Sequence, residues 1–353
     1  DLAYFYGEDA PITALFEQGV PADLPVRYAY DFVNADVLAN RMNVDNGELV
    51  AGEARYRALY LGGSSRVMTL ATLRRIAALV EAGATVIGSA PERAPGLQDD
   101  ATAFKALVAQ LWQGQAMGKG RVIASEDAEA ALASIGVGPD FRISDGAADT
   151  DYRFVHRKLA DGDLYFVNNR TAKAGRIEAR LRESGKRPEV WRAIDGTAKP
   201  VSYRTDGAET VIPLDVGAED AFFILFRNPA KARAATIAGK AMRPVGRLAN
   251  PWTVRFQPGR GAPAQIVMPT LRPLESNADK GVRYFSGTAT YSTRFSVPKG
   301  MKPGAPLWID LGTIGDLAEV RVNGQFAGTS WFAPYRLDIG DLVKPGVNDL
   351  EIK

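Results

Sequence analysis

Two neighbouring carboxylates, Glu8 and Asp9, follow the apolar run Leu2-Ala3-Tyr4-Phe5-Tyr6. Acids at the carboxyl end of a strand in an open α/β sheet sit where such sheets contact ligands. Two together could bind a sugar hydroxyl or a cation; solvated loop acids are the plainer role. His156 is the single histidine. A lone imidazole suits general-base work, but a serine nucleophile would need an elbow of the form G-x-S-x-G, which is absent. Phe154 shares its strand face, so a structural, hydrogen-bonded imidazole is the default, with a substrate contact beside Arg157 as the alternative. Neither role is nucleophilic. Gly62-Gly63-Ser64-Ser65 follows a strand and precedes a helix, the place for phosphate binding. It lacks the spacing of a dinucleotide loop and has no P-loop lysine, so a tight turn is the simpler reading. Cysteine is absent, which removes thiolate nucleophiles, thiolate metal sites and disulfides.

These residues need a scaffold, and 353 residues suggest two or three domains. Hydrophobic residues make up 46% and charged residues 24%, the balance of a globular rather than a disordered chain. No apolar run approaches the roughly 20 residues of a membrane helix. Lys plus Arg total 43 against 41 Asp plus Glu, a net charge of +2 that argues against nucleic acid as the main partner. Asp1 leads straight into an apolar strand, and Leu350-Glu351-Ile352-Lys353 ends the sequence within an alternating one. Both ends read as cut from something longer.

The first segment reads as α/β. Ala58–Leu61 is apolar, and a helix follows in which Leu73, Ile76, Ala77 and Val80 stack on one face. Gly83 ends that helix, and Ala84-Thr85-Val86-Ile87-Gly88 is a second short apolar strand. Strand, helix, strand in about 30 residues is a βαβ unit and implies a parallel sheet. Leu2–Tyr6 and Tyr28–Val33 read as further strands, and Thr102–Trp112 and Glu126–Ile135 as helices. Residues 1–148 are therefore expected to form a doubly wound domain of flavodoxin or amidotransferase type.

After Thr150 the punctuation becomes that of an antiparallel sheet. Asp161-Gly162, Asp195-Gly196 and Asp206-Gly207 each separate apolar runs, and Asp-Gly turns hairpins because both residues tolerate positive φ. Residues 149–232 are expected to form a small antiparallel sandwich, followed by a basic, Ala-rich linker over 233–247. From 248 to 353 the alternation is clean. Tyr291, Thr293, Phe295 and Val297 oppose Ser292, Arg294 and Ser296, while Leu307, Ile309 and Leu311 oppose Trp308 and Asp310. One dry face and one wet face is the pattern of a jelly-roll sandwich sheet, here stopping short of its last strand. Trp191, Trp252 and Trp308 read as core or interface anchors.

Two stretches carry a family resemblance. Trp308–Lys353, WIDLGTIGDLAEVRVNGQFAGTSWFAPYRLDIGDLVKPGVNDLEIK, resembles the sugar-binding jelly roll of glycoside hydrolase family 2 and its relatives, a galactose-binding-like fold. Gly281–Phe295 (GVRYFSGTATYSTRF), preceded by PWTVRF at 251–256, is similar to the C-terminal, non-barrel region of glycoside hydrolase family 106, the α-L-rhamnosidases. YFYGEDAP at 4–11, FVHR at 154–157 and YFVN at 165–168 also look like that family.

That resemblance implies a large parent enzyme whose (β/α)-barrel precedes the region seen here. It implies inverting hydrolysis of terminal α-L-rhamnose, with an acid protonating the leaving oxygen and a carboxylate activating water roughly 6.5–9.5 Å away. It also implies calcium near the sugar in the catalytic domain of the parent. No barrel is legible in these residues, so the chain is expected to be an accessory part, inactive alone, docked on that barrel, with no catalytic residue, metal site or cofactor of its own. Glu8, Asp9, His156, Arg157, Trp331 and Tyr335 are its candidate substrate contacts. Trp331, Phe332 and Tyr335 cluster in a loop where exposed rings could stack on a pyranose; packing on a neighbouring domain is the plainer role. The partner is then a rhamnosylated carbohydrate, with neither nucleic acid nor a membrane span, and the setting periplasmic or secreted. A non-catalytic carbohydrate-binding protein and an accessory part of a family 2 β-glycosidase are the alternatives.

Overall fold

The computed structural model describes residues 1–353 except 10–12, 14–20, 97, 114–117, 147–149, 240, 241, 299 and 303. It divides into two compact units, Asp1–Ile237 and Ala238–Lys353. Among the described residues no helix is long and apolar enough to cross a membrane.

The first unit starts with a five-stranded parallel sheet. Its order is Tyr30–Val33, Leu2–Phe5, Ala58–Leu61, Thr85–Ile87, Arg121–Ile123, the 2-1-3-4-5 arrangement of a doubly wound sheet. Both faces are dry, which is why its strands read as unbroken apolar runs. Ala3, Phe5, Leu59, Leu61 and Val86 pack against helices Leu70–Ala82 and Ala101–Trp112. Leu2, Tyr4, Ala58, Tyr60 and Ile87 pack on the other side with helix Ala128–Ser134. The helix over 70–82 buries Leu73, Ile76, Ala77 and Val80 as its spacing requires. Thr69 caps its start by accepting from the Thr72 amide, and Gly83 ends it at φ 120°.

Three short strands, Met42–Asp45, Glu48–Ala51 and Ala54–Tyr56, form an antiparallel sheet that the α/β reading passed over. Its signal was present: Asn46-Gly47 takes φ values of 52° and 83°, a two-residue hairpin turn.

Two five-stranded antiparallel sheets complete this unit. One holds Tyr152–Lys158, Asp163–Asn169, Ala221–Pro229, Lys186–Arg192 and Thr197–Pro200. The other holds Ala234–Ala235, Tyr203–Asp206, Glu209–Val216, Gly175–Leu181 and Phe141–Asp145. Tyr165, Val167, Ile177, Leu181, Ile212, Phe222 and Phe226 fill the space between. The expected boundary at 148/149 lies outside the described residues. Phe141–Asp145, assigned above to the α/β segment, pairs with Gly175–Leu181, so the sandwich begins earlier. Ala234–Ala235, assigned to the linker, pairs with Tyr203 and Arg204.

The Asp-Gly turns differ from one another. Gly196 and Gly207 take φ near +60°, as a hairpin turn requires, with open space where a Cβ would sit. Gly162 is not in that region; a Cβ there would lie 2.2 Å from the Phe226 carbonyl oxygen. Its glycine answers to close approach, not to turn handedness.

The second unit stacks a six-stranded sheet on a two-stranded one. The larger runs Gln265–Met268, Trp252–Phe256, Ala289–Ser296, Val347–Ile352, Ala318–Val322, Gln325–Ser330, and the smaller pairs Trp308–Asp310 with Arg336–Asp338. Trp252, Val254, Phe295, Ile309, Val320 and Leu350 form its core. Trp252 is buried, but Trp308 and Trp191 are on the wet faces of their strands, 47% and 36% exposed, so neither is a core anchor.

Gly162→Ala should cost about 2 kcal/mol or more because the Phe226 carbonyl must move, whereas Gly196→Ala should cost about 1 kcal/mol for its left-handed φ alone. Urea unfolding of the two variants beside the wild type checks the order.

Candidate functional site

At the carboxyl ends of the parallel strands, the loops after Leu2–Phe5 and Ala58–Leu61 meet where the strand order reverses. They pack on each other. The Ser64 amide and hydroxyl both donate to the Tyr6 carbonyl, at 3.0 and 2.9 Å. Gly7, at φ +98°, lies so close to Ser64 that a Cβ would meet its Oγ at 2.5 Å. Beneath them Asp23 gathers three donors: the Tyr4 hydroxyl at 2.8 Å, the Tyr60 hydroxyl at 3.2 Å and the Gly63 amide at 3.1 Å. The amide that could have held a phosphate is therefore occupied by a carboxylate of the chain itself. Burial, then Asp23, pushes the Tyr4 and Tyr60 phenols far above their ordinary value, so both stay protonated donors.

Glu8 is drawn into the fold. Its carboxylate accepts from the Thr69 amide at 2.7 Å and the Thr69 hydroxyl at 3.2 Å, at the start of the helix over 70–82. A negative charge there is favoured by the helix dipole. Asp9 is exposed. Of the motif over 4–11, Ala10 and Pro11 lie outside the described residues. Glu126, on the same sheet edge, pairs with Arg66 at 3.1 Å and accepts from the Ser89 hydroxyl at 2.9 Å.

His156 lies at the opposite end of that sheet, where the α/β layer meets the sandwich. Its Nδ1 is 2.8 Å from Asp140 Oδ2 and its Nε2 is 3.1 Å from Asp163 Oδ1. Both carboxylates are almost wholly buried. An ionised carboxylate only accepts, so both ring nitrogens donate and the ring is an imidazolium. It stacks on Tyr165 with centroids 4.0 Å apart and planes 15° from parallel. Burial alone would lower the His156 pKa, but hydrogen bonds and charge from Asp140 and Asp163 outweigh it and raise it. Burial would likewise raise Asp140 and Asp163. His156, with Arg182 and Tyr165 at the first and Lys186 at the second, holds both below the ordinary carboxylate range instead.

The cluster reaches both layers. Tyr165 donates to Asp140 at 2.9 Å, Lys186 to Asp163 at 2.8 Å, and Arg182 joins Asp1 to the Gly138 carbonyl. The Asp140 amide donates to the Arg27 carbonyl at 2.8 Å. Arg157 stays exposed, with a guanidinium nitrogen 3.5 Å from Asp31 on the edge strand of the parallel sheet. His156 is thus held on both nitrogens, by Asp140 and by Asp163. The sequence reading missed its partners Asp140, Asp163 and Lys186. The Asp161-Gly162 hairpin could have exposed one of them, because its register sets His156 opposite Tyr165 and Lys158 opposite Asp163.

In the second unit Trp331 and Phe332 are 59% and 41% exposed, their rings edge to face with centroids 5.1 Å apart. Tyr335 is half-buried and its carbonyl accepts from the Leu311 amide at 2.8 Å. The structure joins Trp331 to Phe332; among the described residues no ring contact extends the pair to Tyr335. Within the first unit, Glu8 and Asp9 lie at one end of the parallel sheet and His156 at the other, so no shared site forms from them.

The family model of glycoside hydrolase family 106, described as alpha-L-rhamnosidase, matches residues 1–205. The solved structure of a rhamnosidase from Novosphingobium sp. PP1Y is 48% identical and superposes at a TM-score of 0.89, covering 100% of this chain and 34% of that one. A curated protein of Formosa agariphila, described as "Putative beta-glucuronidase", is 33% identical over 249 residues, 68% of this chain and 20% of its own length. The chain thus spans about a third of the solved relative and a fifth of the curated one.

The His156 contribution to stability is complete below the ordinary histidine value of 6.5 and is lost as pH rises through the raised folded value. The Asp140 and Asp163 contributions are complete above 3.8 and are lost as pH falls through their lowered values. Melting temperature should therefore peak between those limits. His156→Gln should abolish the alkaline-side loss and destabilise the first unit by about 3 kcal/mol, leaving two buried carboxylates short of a cation. Calorimetric scans across pH of both proteins check it.

Proposed function

The chain belongs to glycoside hydrolase family 106, the alpha-L-rhamnosidases, and on that premise we propose that it is the accessory, non-barrel part of an enzyme that removes terminal α-L-rhamnose. In this reading the parent hydrolyses with inversion, one carboxylic acid protonating the leaving oxygen and a second carboxylate activating water about 6.5–9.5 Å away. Both reside on a barrel outside these residues, on which the chain docks. The second unit, with its two stacked sheets, is read as the jelly roll, and the parent is placed in the periplasm or outside the cell.

The observation that carries this reading is how the acids are used. Glu8 holds the capping residue Thr69, Glu126 pairs with Arg66, and Asp23 holds two tyrosines. Asp140 and Asp163 are locked to cations that hold them ionised. A general acid needs the reverse, a carboxyl whose pKa is raised towards the working pH and which faces open space. Glu183 is raised by burial and by the Asp163 charge, but it lies in the same structural cluster, 3.5 Å from Lys186. Among the described residues no three acidic or histidine side chains gather to hold a metal ion. A calcium site belongs, on this reading, to the catalytic domain.

The isolated chain should release no p-nitrophenol from p-nitrophenyl α-L-rhamnoside, while the longer parent protein should turn it over. Turnover by the isolated chain would overturn the reading.

A further inference from the structure

The near-neutral charge of the chain conceals an uneven division. Residues 238–353 carry fifteen basic and nine acidic side chains, a net +6, so the first unit is net acidic. Six of those basic residues, and no acid, fall between 238 and 272. The sequence reading missed this because it took the whole chain at once.

The larger sheet of this unit buries one face and leaves the other to solvent. On the open face, register places Thr253 beside Ser292, Ser292 beside Glu351 and Glu351 beside Arg321, four strands in a row. Arg255 stands two residues along from Thr253 on the same face, and Arg294 two along from Ser292. Together they line a shallow depression of about 540 Å³, within the roughly 300–1,000 Å³ of ordinary ligand sites. Several of its polar groups are uncommitted, while Asn250 donates to the Arg294 carbonyl and Thr293 to the Pro251 carbonyl. Among the described residues the Arg255 guanidinium, the Glu351 carboxylate and the Thr253 and Ser292 hydroxyls have no partner. Arg321 donates to the Gly324 carbonyl at 3.3 Å and lies over the Phe326 ring at 5.6 Å. Arg294 pairs with Asp349 at 3.0 Å, both well exposed.

We propose that this face is a carbohydrate site that binds a carboxylate-bearing oligosaccharide with its uronate on Arg255. The proposal rests on the glycosidase reading above for the sugar, and on charge for the acid. A planar guanidinium free of any internal partner matches a carboxylate with two parallel hydrogen bonds. Ring hydroxyls then donate to Glu351 and accept from Thr253, Ser292 and Arg321. A nucleic acid fits less well, because Glu351 and Asp349 would face its unbroken line of phosphates. A uronic acid sugar presents one carboxylate per ring, with hydroxyls between. An exposed Arg–carboxylate contact is also screened by salt.

The test is calorimetric titration of the whole chain with trigalacturonate, and separately with uncharged maltotriose and an oligothymidylate of similar length. Trigalacturonate should bind saturably, at least about tenfold tighter than maltotriose, and more weakly as salt is raised. Arg255→Ala should weaken it about tenfold and Ser292→Ala by less, each with unchanged melting temperature. Arg336→Ala, on the smaller sheet and paired with Asp310, should change nothing. Equal binding of maltotriose, tighter binding of the oligothymidylate, indifference to Arg255→Ala, or no saturation by about 10 mM would each overturn the proposal. Hydrolysis is not read, so failure here leaves the rhamnosidase reading standing, and the reverse.

Discussion

A half-buried imidazolium between two buried carboxylates is the contact on which the first unit depends. Charges so largely withdrawn from water are tolerable only when each has a partner in hydrogen-bonding geometry. His156 meets that condition on both nitrogens, and Asp140 and Asp163 meet it with Tyr165 and Lys186 as well. The cluster also fixes where the layers join. Asp140 hangs from the Arg27 carbonyl of the α/β layer and holds an imidazole of the sandwich, while Arg182 of the sandwich reaches Asp1 at the head of strand Leu2–Phe5. Losing His156 leaves Asp140 and Asp163 buried and short of a cation.

The same economy engages Glu8, Asp23 and Glu126 at the sheet edge in contacts within the fold. The reversal point of a doubly wound sheet is a crevice in many proteins of this architecture. Here Tyr6, Gly7, Ser64 and Asp23 close it from within, and the two glycines at 62 and 63 serve that closure. A Cβ on Gly62 would lie 2.3 Å from the Tyr4 ring. A scaffold that spends its polar groups on its own joints suits a supporting part better than a catalytic one.

Much of this was legible in the residues, for reasons that differ by element. The helix over 70–82 and the two-sided strands announced themselves because a continuous pattern of burial selects residues at fixed spacing. Strands of three or four residues, as in the small sheet over 42–56, show too few turns of the period to register, and only Asn46-Gly47 marked them. Alternation places Trp308 on the polar side of its strand, against the core half of the core-or-interface reading that its large area invites. The sequence offers His156 as a structural imidazole or a substrate contact without naming its partners, which come from positions 140 and 163. Hairpin register brings Asp163 within reach; Asp140 arrives only through a tertiary contact with Arg27, which no local pattern encodes. The charge division between the units was visible too, once counted by unit.

The central claim is that these residues support catalysis without performing it, and it is tested most directly in the intact parent enzyme. Glu8→Gln, Asp9→Asn and His156→Gln would each be assayed for kcat and KM on an aryl α-L-rhamnoside across pH, beside their melting temperatures. The account expects kcat to stay within about threefold for each while folded, with both limbs of the pH profile kept and only His156→Gln losing several degrees of stability. A fall of about a hundredfold or more in kcat, with one limb of the profile gone and the melting temperature unchanged, would place a catalytic carboxylate or base in this chain and contradict it.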